Sequence, residues 1–239
     1  QTRDQNFTLT IGGVYAQAML APAPWLQLTP AYRVDWVGGQ FRNRLTNISA
    51  PINDYGRIDQ PKMSITLTPV RPVTFYGSWG RSFQIGVGSG AYLIPPRQNN
   101  LAPSINGGWE SGVKIALPHQ GQLRLALWQQ SATGEIKRKL NDPLGDFDNL
   151  GATRRRGADV QVRVAPVSGV QLWGALSWQK AIITQPDPAT PNLLGAEIDH
   201  VPHWLISGGA DWAVNPTLRL SLTATGQSSY TLSTASLQG

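Results

Sequence analysis

The sequence contains no cysteine and only three histidines among its 239 residues. The lack of cysteine excludes a disulfide-stapled scaffold and every zinc or iron–sulfur site that is built on thiolates. The only closely spaced histidines, His200 and His203, fall in a predicted strand, where a spacing of three places them on opposite faces. We therefore expect no metal site, no resident cofactor and no metal-dependent catalysis.

Charged residues make up only 14% of the chain, and long apolar runs are also missing. A membrane-spanning helix needs about 18 consecutive apolar residues, whereas the best run, residues 170–178, is interrupted by Gln171. Disorder is excluded as well, because 41% of the residues are hydrophobic and nine are tryptophan.

The net charge of +6 is spread along the chain. Basic residues cluster only in the triplets at 137–139 and 154–156, and neither triplet lies on a helical pattern. Nucleic-acid binding needs a concentrated basic face, so we expect no nucleic-acid partner.

Apolar and polar residues alternate with period two along most of the chain, which is typical of β-strands. Leu218, Leu220 and Leu222 alternate with Arg219 and Ser221, for example, and no stretch has helical periodicity. Ten strands are predicted, at about residues 5–20, 25–37, 59–68, 72–84, 107–117, 121–135, 151–165, 169–184, 199–214 and 217–230.

The connections between these strands alternate in length. Short turns rich in proline and glycine alternate with longer polar segments at about residues 38–58, 85–106, 136–150 and 185–198. Many strands exceed the about 9–11 residues that a tilted strand needs to cross a bilayer. The pattern predicts an all-β, antiparallel transmembrane β-barrel segment with short periplasmic turns, long extracellular loops and aromatic girdles. A soluble sandwich or barrel is the alternative, and it fits the strand lengths and the low charge less well.

Four phrases in the expected order resemble the barrel of TonB-dependent outer-membrane receptors. They are RPVTFYGSWGRSF at 71–83, LAP at 101–103 with WESGVK at 109–114, DP at 142–143 with GATRRRGAD at 151–159, and GAEIDHVP at 195–202. The resemblance covers about residues 55–225. The plug domain of that family and its closing strand with a terminal aromatic residue have no counterpart here, so we interpret residues 1–239 as a fragment of a larger receptor barrel.

The resemblance implies energy-coupled uptake of a bulky nutrient across the bacterial outer membrane, most often a ferric siderophore. It also implies an energy-coupling partner, TonB, which acts through the plug domain, and contact with outer-membrane lipid and lipopolysaccharide. No step of that process is catalytic, so we expect no enzyme activity and assign no catalytic residue.

Two sets of candidate residues follow from the strand pattern. Arginines and aromatic residues in or beside the long connections suit an anionic, aromatic iron chelate; they are Arg42, Arg44, Tyr55, Arg81, Phe83, Tyr92, Arg97 and Trp109. Charged residues at polar positions within strands are expected to face the barrel lumen; they are Arg33, Lys114, Arg124, Asp159, Arg163 and Arg219.

Two other functions remain open for a small ten-stranded barrel. An outer-membrane enzyme predicts carboxylates and histidines clustered at the lumen rim, and the sequence does not place them together. A diffusion porin predicts a chain with its own closing strand.

Overall fold

The computed structural model describes residues 4–52, 55–85, 102–138, 147–149, 151–186, 188 and 191–232. Within these ranges the chain forms fourteen β-strands and one short 3-10 helix, Pro191–Leu193, and no helix there is long and apolar enough to cross a membrane. The strands are β1 (Gln5–Gln17), β2 (Leu20–Ala23), β3 (Leu26–Asn43), β4 (Ile48–Ile52), β5 (Arg57–Val70), β6 (Val73–Gln84), β7 (Ser104–Leu117), β8 (Gly121–Thr133), β9 (Ile136–Arg138), β10 (Phe147–Asn149), β11 (Ala152–Val167), β12 (Val170–Gln185), β13 (Trp204–Ala213) and β14 (Arg219–Gln227).

Ten of these strands form one antiparallel meander, in the order β1-β3-β5-β6-β7-β8-β11-β12-β13-β14. They correspond to the ten predicted strands. The short strands β2 and β4 also pair with β3, which makes the sheet twelve-stranded, and β9 and β10 form a separate hairpin. Within the described residues β1 and β14 do not pair with each other, so the sheet is an open segment of a barrel wall.

The register gives the sheet two chemically different faces, because directly opposite residues on neighbouring strands point to the same side. Leu125 of β8 lies opposite Val113 of β7 and Val160 of β11, and such rows make one side the apolar face. One residue along, Arg124 lies opposite Lys114 and Gln161, and such rows make the other side the polar face.

Large hydrophobic side chains stay exposed on the apolar face. Leu127 is 60% exposed and Leu222 is 73% exposed, and in the described part of the chain no second layer covers the apolar face. Trp204 begins β13 and lies opposite Trp178, Trp212 lies next to the other end of β13, and Trp79 lies opposite Trp109. An exposed apolar band edged by aromatic residues is the surface that a membrane-spanning barrel presents to lipid.

Short and long connections lie at opposite ends of the meander, as predicted. Residues 24–25, 71–72, 118–120, 168–169 and 214–218 are short turns, and we call their end the turn end. The strand ends that are joined by the connections 44–56, 85–103, 134–151 and 186–203 lie at the other end, which we call the loop end. In this barrel class the turn end is periplasmic and the loop end is extracellular.

Two predicted connections at the loop end contain strands. The predicted connection 38–58 contains the last part of β3 and all of β4, and Phe41 there is only 1% exposed. The predicted connection 136–150 contains the hairpin β9–β10. The glycine-rich and polar composition suggested loops, but pairing with neighbouring segments keeps these residues extended.

The ninth predicted strand begins five residues too early. It was expected from residue 199, but β13 begins at Trp204. His200 has a positive φ of 61°, which an extended strand does not allow, and its backbone N–H donates to the Thr231 carbonyl at 2.8 Å. His200 and His203 therefore precede the strand instead of occupying its two faces.

Candidate functional site on the polar face

The six residues predicted to face the lumen all lie on the polar face. Lys114 and Arg124 are directly opposite each other on β7 and β8, and Asp159 and Arg163 lie two residues on either side of Gln161, which is opposite Arg124. Arg33 of β3 and Arg219 of β14 lie on the same face of the sheet as these residues. The polar side of the wall is thus lined by charged groups along its whole width.

Tyr76, Glu110, Lys114 and Arg124 form a connected cluster at the middle of the polar face. The Tyr76 hydroxyl donates to Glu110 Oε1 at 2.7 Å and accepts from Arg124 Nε at 2.8 Å, while Arg124 Nη2 also donates to Glu110. Lys114 Nζ lies 5.0 Å from the centre of the Tyr76 ring, within cation–π range. Two cations surround one carboxylate, so the cluster carries net positive charge.

A second cluster, on β3 and β5, is centred on the fully buried Asp35. Arg33 donates to both carboxylate oxygens, from Nε at 2.7 Å and from Nη2 at 2.6 Å. Gln60 Nε2 donates to the same carboxylate from the neighbouring strand. Asp35 is 1% exposed, so its charge is compensated by these donors instead of by water.

A third cluster lies at the loop end of β11. Arg155 makes a two-pronged pair with Glu135, from Nη1 to Oε2 at 2.8 Å and from Nη2 to Oε1 at 2.5 Å, and the buried Thr153 hydroxyl donates to Glu135 as well. Glu135 lies in the connection that follows β8. The pair therefore fixes the beginning of that connection against the neighbouring strand.

Three aromatic rings on the polar face lie directly opposite glycines. These pairs are Tyr76 with Gly112, Trp128 with Gly157, and Trp173 with Gly209. A Cβ atom at any of these glycines would lie 2.7 Å or less from its ring or from a backbone oxygen. The glycines thus allow the rings to lie flat along the wall instead of projecting from it.

Trp128 and Glu110, from one of the ring pairs and one of the clusters, border an open depression of about 360 Å³ on the polar face. Gly80, Gly108, Lys62, Asn106 and Gln130 are among the other residues that line it. It therefore offers a cation, a carboxylate and amide groups to whatever occupies the space beside the wall. Within the described residues, no group of three or more metal-ligating side chains occurs.

The residues predicted to bind ligand are brought together only in part: Arg81 and Phe83 share one face of β6, and Trp109 lies diagonally across from Arg81 on β7. Arg42, Arg81, Phe83 and Trp109 lie in strands, and Arg81, Phe83 and Trp109 point to the apolar face. Arg44 and Tyr55 lie in the connection between β3 and β5, where Arg44 is 3.9 Å from Asp4. Tyr92 and Arg97 lie outside the described residues.

Sequence reasoning missed Tyr76, Glu110, Gln60 and Trp128 as parts of these clusters. The face on which each of these side chains lies could have been predicted from its own strand. Tyr76, for example, shares one face with Thr74 and Ser78, whereas Phe75 and Gly77 lie on the other face. The partners of these side chains on other strands could not have been predicted, because the register between strands depends on the turns and on packing across the whole sheet.

Comparison with known proteins identifies the family. The family model described as "TonB dependent receptor-like, beta-barrel" matches residues 1–238. No curated protein matches the chain.

Similar solved structures include three iron-uptake receptors. The siderophore receptor PiuA from Acinetobacter baumannii has a TM-score of 0.76 at 16% identity, over 94% of this chain and 34% of its own. The ferric citrate transporter FecA has a TM-score of 0.74 at 17% identity, over 95% of this chain and 34% of its own. The ferric-catecholate import receptor Fiu from E. coli K12 has a TM-score of 0.70 at 14% identity, over 95% of this chain and 36% of its own.

The chain spans about a third of the length of these solved structures. The matches confirm the family resemblance, the β-barrel fold class and the outer-membrane location that the sequence predicted. The family transports nutrients and is not enzymatic, which agrees with the expectation of no enzyme activity. This chain therefore belongs to the β-barrel family of TonB-dependent receptors of the bacterial outer membrane.

Proposed function

We propose that residues 1–239 form part of the barrel wall of a receptor that imports a ferric siderophore. In this proposal TonB supplies the energy by acting on a plug domain within the barrel, the polar face borders the lumen, and the apolar face contacts outer-membrane lipid and lipopolysaccharide. The nutrient enters from the loop end and leaves at the turn end.

The charge of the polar face is the observation that carries this proposal. Lys62, Arg163 and Arg219 lie on that face, and no carboxylate of the described residues is within 4.0 Å of their charged groups. Unpaired cations in a confined, partly desolvated channel attract anionic solutes. Ferric chelates built from catecholate or citrate groups are anionic, and the similar structures named above include a ferric-catecholate import receptor and a ferric citrate transporter.

The connections at the loop end provide the second support. Of the eight candidate ligand residues, Arg44 and Tyr55 lie in a connection at the entrance, where cation and aromatic ring can approach an incoming chelate. Arg81, Phe83 and Trp109 face lipid in this arrangement, so we propose them as part of the aromatic and polar border of the membrane instead. The roles of Tyr92 and Arg97 stay a prediction.

The proposal is tested by iron uptake in the organism that carries the gene. A strain lacking the gene is compared with the same strain complemented with it, using radiolabelled iron loaded on siderophores of the catecholate, hydroxamate and citrate types. We expect the deletion to lower the rate of iron uptake from one of these chelates at least tenfold relative to the complemented strain. We also expect a protonophore to abolish this uptake in the complemented strain.

Two outcomes would contradict the proposal in different ways. Gene-dependent uptake that continues at full rate with a protonophore would indicate passive diffusion and favour a porin. Normal uptake of every ferric chelate in the deletion strain, together with loss of another nutrient such as cobalamin or a glycan, would keep coupled transport and reject the siderophore.

A further inference from the structure

A tryptophan and an arginine lie side by side on the polar face, in the half of the sheet that is nearer the turn end. Trp173 is the fourth residue of β12, and Arg163 of β11 is directly opposite it. Gln122 of β8 lies opposite Arg163 on the other side. Directly opposite residues have Cβ atoms about 5 Å apart, so an indole ring, a guanidinium group and an amide follow one another in a single row across three strands.

The indole ring of Trp173 presents one of its two faces to the space beside the wall. Gly209 of β13 lies directly opposite Trp173, and a Cβ atom there would be only 2.7 Å from Cε2 and Nε1 of the ring. The backbone of β13 therefore covers one ring face, which agrees with the half-buried state of the side chain. The other face is available to stack against a planar aromatic group.

This row borders an open depression of about 270 Å³ on the polar face. Its volume is about nine times the share of one molecule in liquid water, which leaves room for one aromatic ring with its substituents. No carboxylate of the described residues lines the depression, and none lies within 4.0 Å of the Arg163 guanidinium. Arg124 also lines it, but its charge is shared with Glu110. The polar-face residues of the lining are Gln122, Arg124, Gln161, Arg163, Trp173 and Ala175.

The chemistry of this lining fits a catecholate, which is a flat ring with two adjacent oxygens that carry negative charge. Its ring stacks on the free face of Trp173, while the Arg163 guanidinium donates charge-assisted hydrogen bonds to its oxygens. The amide groups of Gln122 and Gln161 supply further donors beside the guanidinium. Hydroxamate and citrate groups have no ring, so they would leave the free face of Trp173 without a partner.

We propose that this depression, the Trp173 pocket, holds a catecholate arm of the ferric chelate while the chelate passes through the lumen toward the periplasm. The proposal rests on the proposed import of a ferric siderophore and narrows the substrate to the catecholate class. The chelate enters at the loop end, whereas the pocket lies in the half of the wall nearer the turn end. The pocket therefore acts during passage and does not contribute to the first binding of the chelate.

The first test measures whether a catechol protects the pocket from a chemical label. The chain has no cysteine, so Ala175→Cys places one thiol in the lining, and Thr225→Cys places one in the same row of the polar face two strands away. In the receptor as it is encoded, purified from outer membranes in detergent, alkylation of each thiol by a water-soluble maleimide is followed by mass spectrometry. The probe is 4-nitrocatechol, which is anionic at neutral pH. We expect it to slow alkylation at position 175 at least threefold and to leave position 225 unchanged, and we expect acetohydroxamate to protect neither.

The second test separates passage from entry. The double variant Trp173→Leu/Arg163→Gln is compared with wild type and with the control Trp178→Leu/Arg71→Gln, which removes the same groups from the apolar face of β12 and from a turn. We expect the double variant to take up iron from a catecholate chelate at least fivefold more slowly, while its binding of the chelate to protonophore-treated cells changes less than twofold. The control and Trp173→Phe/Arg163→Lys should keep at least half of the wild-type uptake rate.

The outcomes distinguish the pocket from the import that it serves, and the protection measurement decides even if the double variant does not fold. Equal alkylation of Ala175→Cys with and without 4-nitrocatechol, or full uptake in a folded Trp173→Leu/Arg163→Gln variant, would overturn the pocket. Equal protection by acetohydroxamate would overturn its preference for an aromatic ligand. Gene-dependent uptake of only hydroxamate or citrate chelates would overturn the catecholate assignment and leave siderophore import in place. Iron uptake that does not depend on the gene would reject the import itself, whereas protection at position 175 would still support the pocket.

Discussion

Replacing Asp35 by alanine is expected to lower the free energy of unfolding by about 2–3 kcal/mol. The carboxylate is fully buried and accepts hydrogen bonds from Arg33 on its own strand and from Gln60 on β5. Its removal leaves the buried Gln60 amide without an acceptor, and an unpaired buried donor costs about 1–3 kcal/mol. The Arg33 side chain is 43% exposed, so hydrogen bonds to water replace part of those that it loses with Asp35.

Urea unfolding of the protein in lipid vesicles, followed by tryptophan fluorescence, measures this change. Asp211→Ala is the matched control, because Asp211 also lies on the polar face but is half-buried and accepts from one hydroxyl, that of Ser221 at 2.6 Å. We expect the control to change the free energy by less than about 1 kcal/mol. Equal losses in the two variants would show that the Arg33–Asp35–Gln60 cluster contributes nothing beyond an ordinary surface carboxylate.

The second large effect is expected from Gly157→Ala in the middle of β11. The added Cβ would lie 2.5 Å from Cζ2 of Trp128 on β8 and 2.5 Å from the backbone oxygen of Trp178 on β12. The ring can turn away, but the backbone oxygen cannot move without disturbing the pairing of β11 with β12. Overpacking of this kind costs about 1–3 kcal/mol.

Gly174→Ala is the control for this substitution. Gly174 lies on β12, and an added Cβ there would make only ordinary contacts, 3.6 Å from Val162 Cγ1 and 3.9 Å from the Ser207 carbonyl oxygen. The same assay should therefore find Gly174→Ala unchanged or slightly stabilised, because alanine is also less flexible than glycine in the unfolded chain. If Gly157→Ala were as stable as Gly174→Ala, the close approach of the Trp178 backbone oxygen to Gly157 would be wrong.

The strands at the turn end were predictable because local chemistry determines them. The predicted strand 169–184 and the observed Val170–Gln185 differ by one residue at each end. The turn before it, with Gly169 at a positive φ of 80°, needs a residue without a side chain, and proline and glycine mark that position in the sequence.

The structure of the loop end was less predictable because contacts between residues that are distant in the sequence determine it. Residues 195–198 lie along the loop end of β12, with backbone bonds from Ile183 N to Ala196 O and from Ile198 N to Ala181 O. Ile198 then packs against Ala181 and Ile183 in a small apolar cluster. None of these contacts could be predicted from the sequence, because a polar, proline-rich segment predicts a loop whether or not that loop packs against a neighbouring strand.

The candidate site divides in the same way. Alternation within a strand was sufficient to place Arg33, Lys114 and Arg124 on one face, because side-chain period is a property of the strand alone. The cluster that joins Arg124 to Tyr76 and Glu110 spans three strands, and its formation depends on the register of β6, β7 and β8.

The division of the sheet into a lipid-facing side and a water-facing side can be measured directly, because the chain has no cysteine. Nitroxide labels are attached to the single variants Val160→Cys, Gln161→Cys and Val162→Cys of β11 in membrane-embedded protein. Collision with dissolved oxygen reports lipid, and collision with a water-soluble nickel chelate reports water. We expect oxygen to dominate at positions 160 and 162 and the nickel chelate to dominate at 161. The same collision ratio at all three positions would contradict the membrane-spanning wall.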